Sequence, residues 1–405
     1  MKDTELLQIA LMLTPPWQVV GCEIDTNQKR LDIHLDFSKG SRFSCPECAQ
    51  SGCAVHDTEF QSWRHMNFFQ HETYMNARVP RIRCDQCGVK LINVPWARSG
   101  SGFTLLFEAY IMILSPSMPV KKMAELVTEH DTRLWRILHH HVEEAREQAD
   151  YSDIKQVGVD ETSSKRGHNY VSIFVDLEKS KTIFATEGKD SATVVSFKDD
   201  LIEHGGNPDG IQDVSCDMSP AFIKGVEENL PNAKITFDKF HITKMINTAV
   251  DEVRRQEQTD HPELKNTRYI FLKNPENLTL KQADRLKDLK LKDFHLKTVR
   301  AYHIRLSFQE LWNQTLDQAE AYLKKWYYWA THSRLEPIKE AAYTIKRHWN
   351  GIINWFKSGI NNGILEGINS MVQAAKARAR GYRNNRYLIT MIYLISGKLN
   401  FNLPT

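Results

Sequence analysis

No apolar run in this chain of 405 residues approaches the roughly 18 needed to cross a bilayer as a helix. The apolar stretch from Leu6 to Leu13 follows Asp3 and Glu5, so it reads as a short amphipathic helix and not as an export signal. Internal repeats and low-complexity tracts are also missing. A hydrophobic content of 41% and a charged content of 25% are those of an ordinary soluble protein, and the expected location is the cytoplasm, with no membrane partner. Net charge is small as well: at +3 it does not by itself argue for a polyanion. The balance is local. Beyond Glu366 the chain has no acidic residue but carries Lys376, Arg378, Arg380, Arg383, Arg386 and Lys398, a distribution suited to a phosphate backbone.

Cysteine is sparse and uneven. Of the seven, five lie between positions 45 and 87. Four of these form two knuckles, Cys45-Pro-Glu-Cys48 and Cys84-Asp-Gln-Cys87. Each knuckle can give two thiolates to a tetrahedral zinc ion, and without an export signal metal binding outranks disulfides. Cys53 and His56 are alternative ligands by residue type but read as bystanders. Cys22 and Cys216 read as small buried residues.

The periodicity divides the chain. Residues 1–40 predict a helix followed by strands, as in the alternating Leu31-Asp-Ile-His-Leu-Asp-Phe37. Residues 41–98 are the cysteine-marked ribbon, closed by the linker Arg98-Ser-Gly-Ser-Gly102. Residues 99–150 turn helical, with a short helix from Val120 to Val127, a turn at 128–132 and a longer helix opened by Arg133-Leu-Trp-Arg. That is a helix–turn–helix pattern, with Lys121, Lys122, Arg133 and Arg136 as candidate DNA contacts. His139-His-His141 offers metal-binding groups, but consecutive helical residues diverge by about 100°, so it reads as a solvated helix face.

From 151 the period becomes two. Strands are expected at 154–160, 170–177, 181–187, 213–217 and 234–238, with helices at 191–203 and 219–229. A three-strand meander followed by helix–strand–helix–strand gives a mixed sheet of five strands in a multidomain α/β chain. Residues 151–240 form the first part of this core. Residues 241–345 read as an all-helical insertion whose aromatics, among them Trp312, Tyr322, Trp326 and Trp329, are expected to pack with one another. Residues 346–405 return to the core with basic helices.

Two carboxylates end expected strands: Asp160 closes Ile154-Lys-Gln-Val-Gly-Val-Asp160, and Asp217 closes Val214-Ser-Cys-Asp217. The carboxyl edge of an open α/β sheet is where such folds place their sites. Glu366 opens a helix. Three carboxylates gathered together repel one another until a divalent cation neutralises them. Oxygen ligands favour magnesium or manganese, and paired ions about 3.5–4 Å apart serve in-line displacement at phosphorus. Glu161 should leave from the opposite face of the strand. Asp238 and His241 end the next strand, where they would tune the site or touch substrate. Asn369 lies one helical turn beyond Glu366 on the same face.

In order and in residues, these parts resemble the bacterial insertion-sequence transposases of the DDE class, most closely the IS-L-three family. The matching segments are the two knuckles, Val157-Gly-Val-Asp-Glu-Thr162, Asp217-Met-Ser-Pro-Ala-Phe222, Phe237-Asp-Lys-Phe-His-Ile242, Leu272-Lys-Asn-Pro-Glu-Asn-Leu278 and Glu366-Gly-Ile-Asn369. The family's tail often reads Lys-Arg-x-x-x-Gly-Tyr; here it is Arg378-Ala-Arg-Gly-Tyr382. The resemblance implies an RNase H-like core split by the helical insertion, after a zinc ribbon and a helix–turn–helix. It implies Asp160, Asp217 and Glu366 as the catalytic carboxylates, holding two magnesium ions, and zinc on Cys45, Cys48, Cys84 and Cys87. The partner would be DNA, as terminal inverted repeats and a target duplex. Lys376, Arg380 and Arg383 would hold flanking backbone, and a homodimer would pair two element ends. The alternatives are a metal-dependent, structure-specific nuclease on the same core, which hydrolyses without joining, or an inactive DNA-binding regulator.

Overall fold

Strands built on alternation come first, and they make one sheet. The computed structural model describes residues 2–165, 167, 169–292, 296–360 and 363–403. The chain divides into two units, one holding residues up to Arg146 with Ala377–Arg380 and the last residues from Leu399, the other holding Glu147–Lys376 and Gly381–Lys398.

The first unit contains α1 (Asp3–Ala10), β1 (Trp17–Asp25), β2 (Arg30–Phe37), β3 (Arg42–Phe43), β4 (Cys53–Phe68), β5 (His71–Cys84), β6 (Gly88–Leu91), α2 (Leu105–Leu114), α3 (Val120–Val127) and α4 (Asp131–Glu147). The strand order is β1-β2-β5-β4-β3, with β6 also on β5. On one edge, β5 carries β2 along its first half and β6 along its second. Residues 1–40 and 41–98, separate segments by composition, therefore share one sheet. Leu31, Ile33 and Leu35 point into its core beside Trp63, Met75 and Trp96. The Trp96 ring stands edge-on to Trp17 at 4.8 Å and to Trp63 at 5.5 Å. Thr128, at φ 58° and ψ 39°, ends α3 in the left-handed conformation. Asp131 is the first residue of α4.

The second unit contains β7 (Gln156–Lys165), β8 (Asn169–Asp176), β9 (Lys181–Glu187), α5 (Ser191–Glu203), β10 (Asp213–Cys216), α6 (Pro220–Asn229) and β11 (Lys234–Phe237). Helices follow: α7 (Lys239–Glu257), α8 (Arg268–Leu272), α9 (Leu280–Lys292), α10 (Lys297–Gln309), α11 (Leu316–Thr331), α12 (Glu336–Arg347), α13 (Trp349–Ser358), α14 (Gly363–Arg378) and α15 (Asn385–Ser396). The sheet order is β11-β10-β7-β8-β9. β7, β8 and β9 form the antiparallel meander; β10 runs parallel to β7 and to β11. The two faces of β7 differ. Val157 and Val159 join Phe174 and Phe197 in the core. Gly158 faces α14 so closely that a Cβ there would lie 2.8 Å from Leu365. Tyr302, Phe308 and Trp326 are buried, as expected of packing aromatics, but Trp329 is 44% exposed.

Candidate active site and DNA-binding elements

Asp160 is not at the end of its strand, because β7 runs on to Lys165. What ends is the neighbour. β10 pairs with β7 only from Gln156 to Gly158, while β8 continues beside it past Asp160. One side of β7 is therefore bare at Asp160, and an acidic side chain can face a cavity from mid-strand. Asp217 follows β10 directly, and its Oδ1 accepts the Ser219 N–H at 2.9 Å. Both line a cavity of about 870 Å³ with Glu161, His241, Lys244 and Glu340. Glu161 thus reaches the same space as Asp160. Strand alternation still separates the two side chains, but with β10 ended no strand divides the faces.

Asp238 caps α7, accepting the Phe240 N–H at 2.8 Å, and its own N–H donates to the Cys216 carbonyl at 3.1 Å. Through this turn, Asp238 lines one cavity and His241 the other. Glu366 sits in the first turn of α14 and lines the Asp238 cavity, about 830 Å³ in volume, with Phe240, Trp312 and Trp355. The three carboxylates are therefore split between adjoining cavities. They are not among the groups of side chains, within the described residues, whose ligand atoms all lie within 4.8 Å of one another.

Helix α14 is fixed to β7 by a polar stripe. Asn369 Nδ2 donates to Asp160 Oδ2, Gln373 Nε2 to Thr162 Oγ1 at 2.5 Å, and Lys376 Nζ to the Ser163 carbonyl at 2.6 Å. Positions 369, 373 and 376 follow the i, i+4, i+7 spacing of one helix face. Gln373 was not singled out from the sequence. The signal was present as a long polar residue at helical spacing from Asn369 in an alanine-rich helix.

The electrostatics call for a cation. Burial raises the Asp160 carboxyl above its ordinary range, and Asp217 and Asp238 push the same way. Burial raises Glu161 too, with Asp217 and Asp160 adding to it. Among the described residues, the buried Oδ1 of Asn369 and Nδ1 of His241 have no hydrogen-bond partner. Carboxylate oxygens with an unfilled carbonyl beside them are a hard donor set, and the residues present fit a magnesium-like ion.

The cysteine knuckles do converge. Cys45, Cys48, Cys84 and Cys87 bring their sulfurs within 4.8 Å of one another, and Cys48 and Cys84 lie 3.5 Å apart. Zinc–sulfur bonds of about 2.3 Å place tetrahedral ligands about 3.8 Å apart, so the cluster has the right size. Backbone N–H groups of Cys87 and Gln86 lower the Cys84 thiol to about 7. Cys53 is buried beside the cluster but outside it. Cys22, expected to be buried, is only half-buried, with its Sγ 3.5 Å from Asp3 Oδ2.

Of the candidate DNA contacts, Lys121, Lys122 and Arg136 are exposed. Arg133 donates to Glu129 at 2.5 Å and stacks over Phe103 at 4.3 Å. Arg380 and Arg383 are exposed, and the Arg383 carbonyl accepts Lys165 Nζ at 3.0 Å. No helix of the described residues is long and apolar enough to cross a membrane.

Residues 41–87 match the zinc finger of transposases IS204/IS1001/IS1096/IS1165, and residues 92–142 match the helix-turn-helix domain of transposase family ISL3. Residues 157–392 match the DDE domain of the same family, described as a transposase. The chain is 27% identical over 364 residues to the transposase for insertion sequence element IS1557 of Mycobacterium tuberculosis, strains CDC 1551 and H37Rv, covering 82% of this chain and 81% of that protein. It is 27% identical over 366 residues to the transposase for IS1001 of Bordetella parapertussis, covering 86% and 87%. A zinc ribbon, a helix–turn–helix and a DDE domain in this order define an insertion-sequence transposase. The chain belongs to the ISL3 transposase family.

Proposed function

We propose that the chain binds the terminal inverted repeats of its insertion sequence, cuts at the element ends and joins the freed 3′-hydroxyl to target DNA. The observation that carries this is the Asn369–Asp160 hydrogen bond, which docks the helix bearing Glu366 on the strand bearing Asp160, beside Asp217. We read the order β11-β10-β7-β8-β9 as an RNase H-like core and the helices of 241–345 as its insertion.

Asp160, Asp217 and Glu366 would hold two magnesium or manganese ions, which when bound activate the attacking oxygen and stabilise the leaving one. Glu366 is exposed and one helical turn from Asn369, so rotation of its side chain would carry it toward the other two carboxylates while α14 stays docked. Asn369 orients Asp160 through its Nδ2, and its free Oδ1 would face an ion beside the scissile phosphate. His241 and Asp238 set the charge around that phosphate. Lys376, Arg380 and Arg383 hold the flanking backbone. Lys121, Lys122, Arg133 and Arg136 place the helix–turn–helix on the duplex, where phosphate contacts set register and base-edge contacts specify sequence. Four thiolates hold a structural zinc. Pairing two ends requires two chains, and the helical insertion offers a surface for that contact.

Labelled element ends test this directly. With magnesium the protein should nick the ends and join a pre-cleaved 3′ end to a second duplex; with calcium it should bind without cutting. Asp160→Ala should abolish cleavage and spare end binding. Cutting without joining would assign a nuclease instead, and undiminished cleavage by the Asp160 variant would remove the site from its assigned place.

A further inference from the structure

The three consecutive histidines of α4 do not form the solvated face that their sequence suggests. His139 and His141 are both only 8% exposed. Beneath them lies Glu108 of α2, fully buried, which accepts Arg98 Nε at 2.9 and 3.0 Å, Ser101 Oγ at 2.5 Å and His141 Nε2 at 2.9 Å. A carboxylate with two other donors takes its third hydrogen bond from the imidazole N–H. In the neutral ring this places the proton on Nε2 and makes Nδ1 the nitrogen with the lone pair.

That lone pair has company. Glu144 Oε2 lies 3.9 Å from His141 Nδ1 and 3.7 Å from His140 Nε2. Both distances exceed a hydrogen bond, yet one atom from each of the three side chains falls within 4.8 Å of the others. Zinc bonds to nitrogen and oxygen of about 2.0–2.1 Å set ligand atoms about 3.4 Å apart in a tetrahedron, close to the spacing seen. Adjacent helical residues diverge, but the two imidazoles compensate by offering different nitrogens. The short reach of Nδ1 from His141 meets the longer reach of Nε2 from His140, with the rings 5.2 Å apart and inclined at 61°. Glu108 supplies what a metal-bound histidine usually has, a carboxylate on the far ring nitrogen that orients it and strengthens its basicity.

We infer that His140, His141 and Glu144 form a second metal site on α4, taking a zinc-class divalent ion with water in the remaining position. Arg98 works against a cation at His140, and its pairing with Glu108, together with the Glu144 carboxylate, offsets that repulsion. The ion joins the recognition helix α4 to α2 through His141 and Glu108, stiffening the pair that carries the candidate DNA contacts.

Metal content of the purified full-length protein, after zinc loading and removal of free ion, tests this without reference to activity. Two zinc ions per chain are expected. Glu144→Gln and His140→Ala alter side chains that are 53% and 41% exposed, so the fold should survive, as circular dichroism will report. Each variant should retain one ion per chain and bind the second at least about 10-fold more weakly. Cobalt loading separates the sites: the thiolate charge-transfer bands should persist in both variants, while the bands of the second cobalt are lost. One ion per chain in the unaltered protein, or two tightly held ions in both variants, would overturn the site.

Discussion

At Asp160 the identity of one side chain and the end of a neighbouring strand combine to make a site. The residue type and its place after an apolar run were legible in the sequence. Its mid-strand position was not, because where β7 stops depends on its pairing with β8, a partner contact that no local pattern encodes. The Asp160–Asn369 bond predicts that Asn369→Ala lowers the cleavage rate by about 10–100-fold, the usual effect of removing a residue that orients a metal ligand. Single-turnover cleavage of a labelled end would measure it; an unchanged rate would remove Asn369 from this role. A second residue gives a pH dependence. His65, whose Nδ1 lies 2.8 Å from Thr104 Oγ1, is lowered to about 4 by burial and by the Arg64 charge. The unfolded chain would protonate it near 6.5, so between that pH and about 4 the unfolded state binds more protons and stability falls with acidity. The loss should approach about 3 kcal/mol across that window, and a His65→Gln variant should flatten the slope in denaturant titrations at pH 4.5 and 6.5.

At the scale of the element, the sequence was most readable where periodicity is strongest. The expected helix at 191–203 and strand at 181–187 coincide with α5 and β9, and the other core strands end within a residue or two except for β7. Long-range docking was less readable, since it depends on which small residue admits which neighbour. Helix α13 shows this. A Cβ on Gly351 would lie 2.3 Å from the Phe237 ring and 3.3 Å from the Ile235 carbonyl, and Asn354 Nδ2 donates to Thr236 Oγ1 at 2.8 Å. The glycine is therefore the point at which α13 closes on β11. A rigid ring and a backbone oxygen cannot yield as a leucine tip does, so Gly351→Ala should destabilise the unit by about 1–3 kcal/mol. Gly158→Ala meets side-chain atoms of Leu177 and Leu365 and no backbone or ring, and should cost less. Urea midpoints of the two variants would rank them; a reversed order would mean that α14, not α13, is the tighter contact.

At the scale of the whole molecule, each unit has its own core, but only the first contains a complete thiolate cluster. Sequence spacing identified that cluster because thiolate ligands come in pairs with a fixed loop between them, a signal independent of the intervening strands. The proposed catalytic trio is legible only as three separate carboxylates, because bringing them together depends on helix docking that no local pattern encodes. Zinc binding to the knuckles contributes directly to folding where the ligands would otherwise be unconnected ends. Here the knuckles join the β3–β4 end of the sheet to the β5–β6 turn, while Trp17, Trp63, Met75 and Trp96 hold its centre without metal. Loss of this ion should therefore loosen one end of the first unit and not unfold the chain. In Cys48→Ser, the thermal transition of the first unit should fall by several degrees while that of the second stays in place, and affinity for element ends should drop more than affinity for random duplex. Calorimetry with paired binding titrations would check this. A fall in the second transition of equal size would show that the two units unfold together.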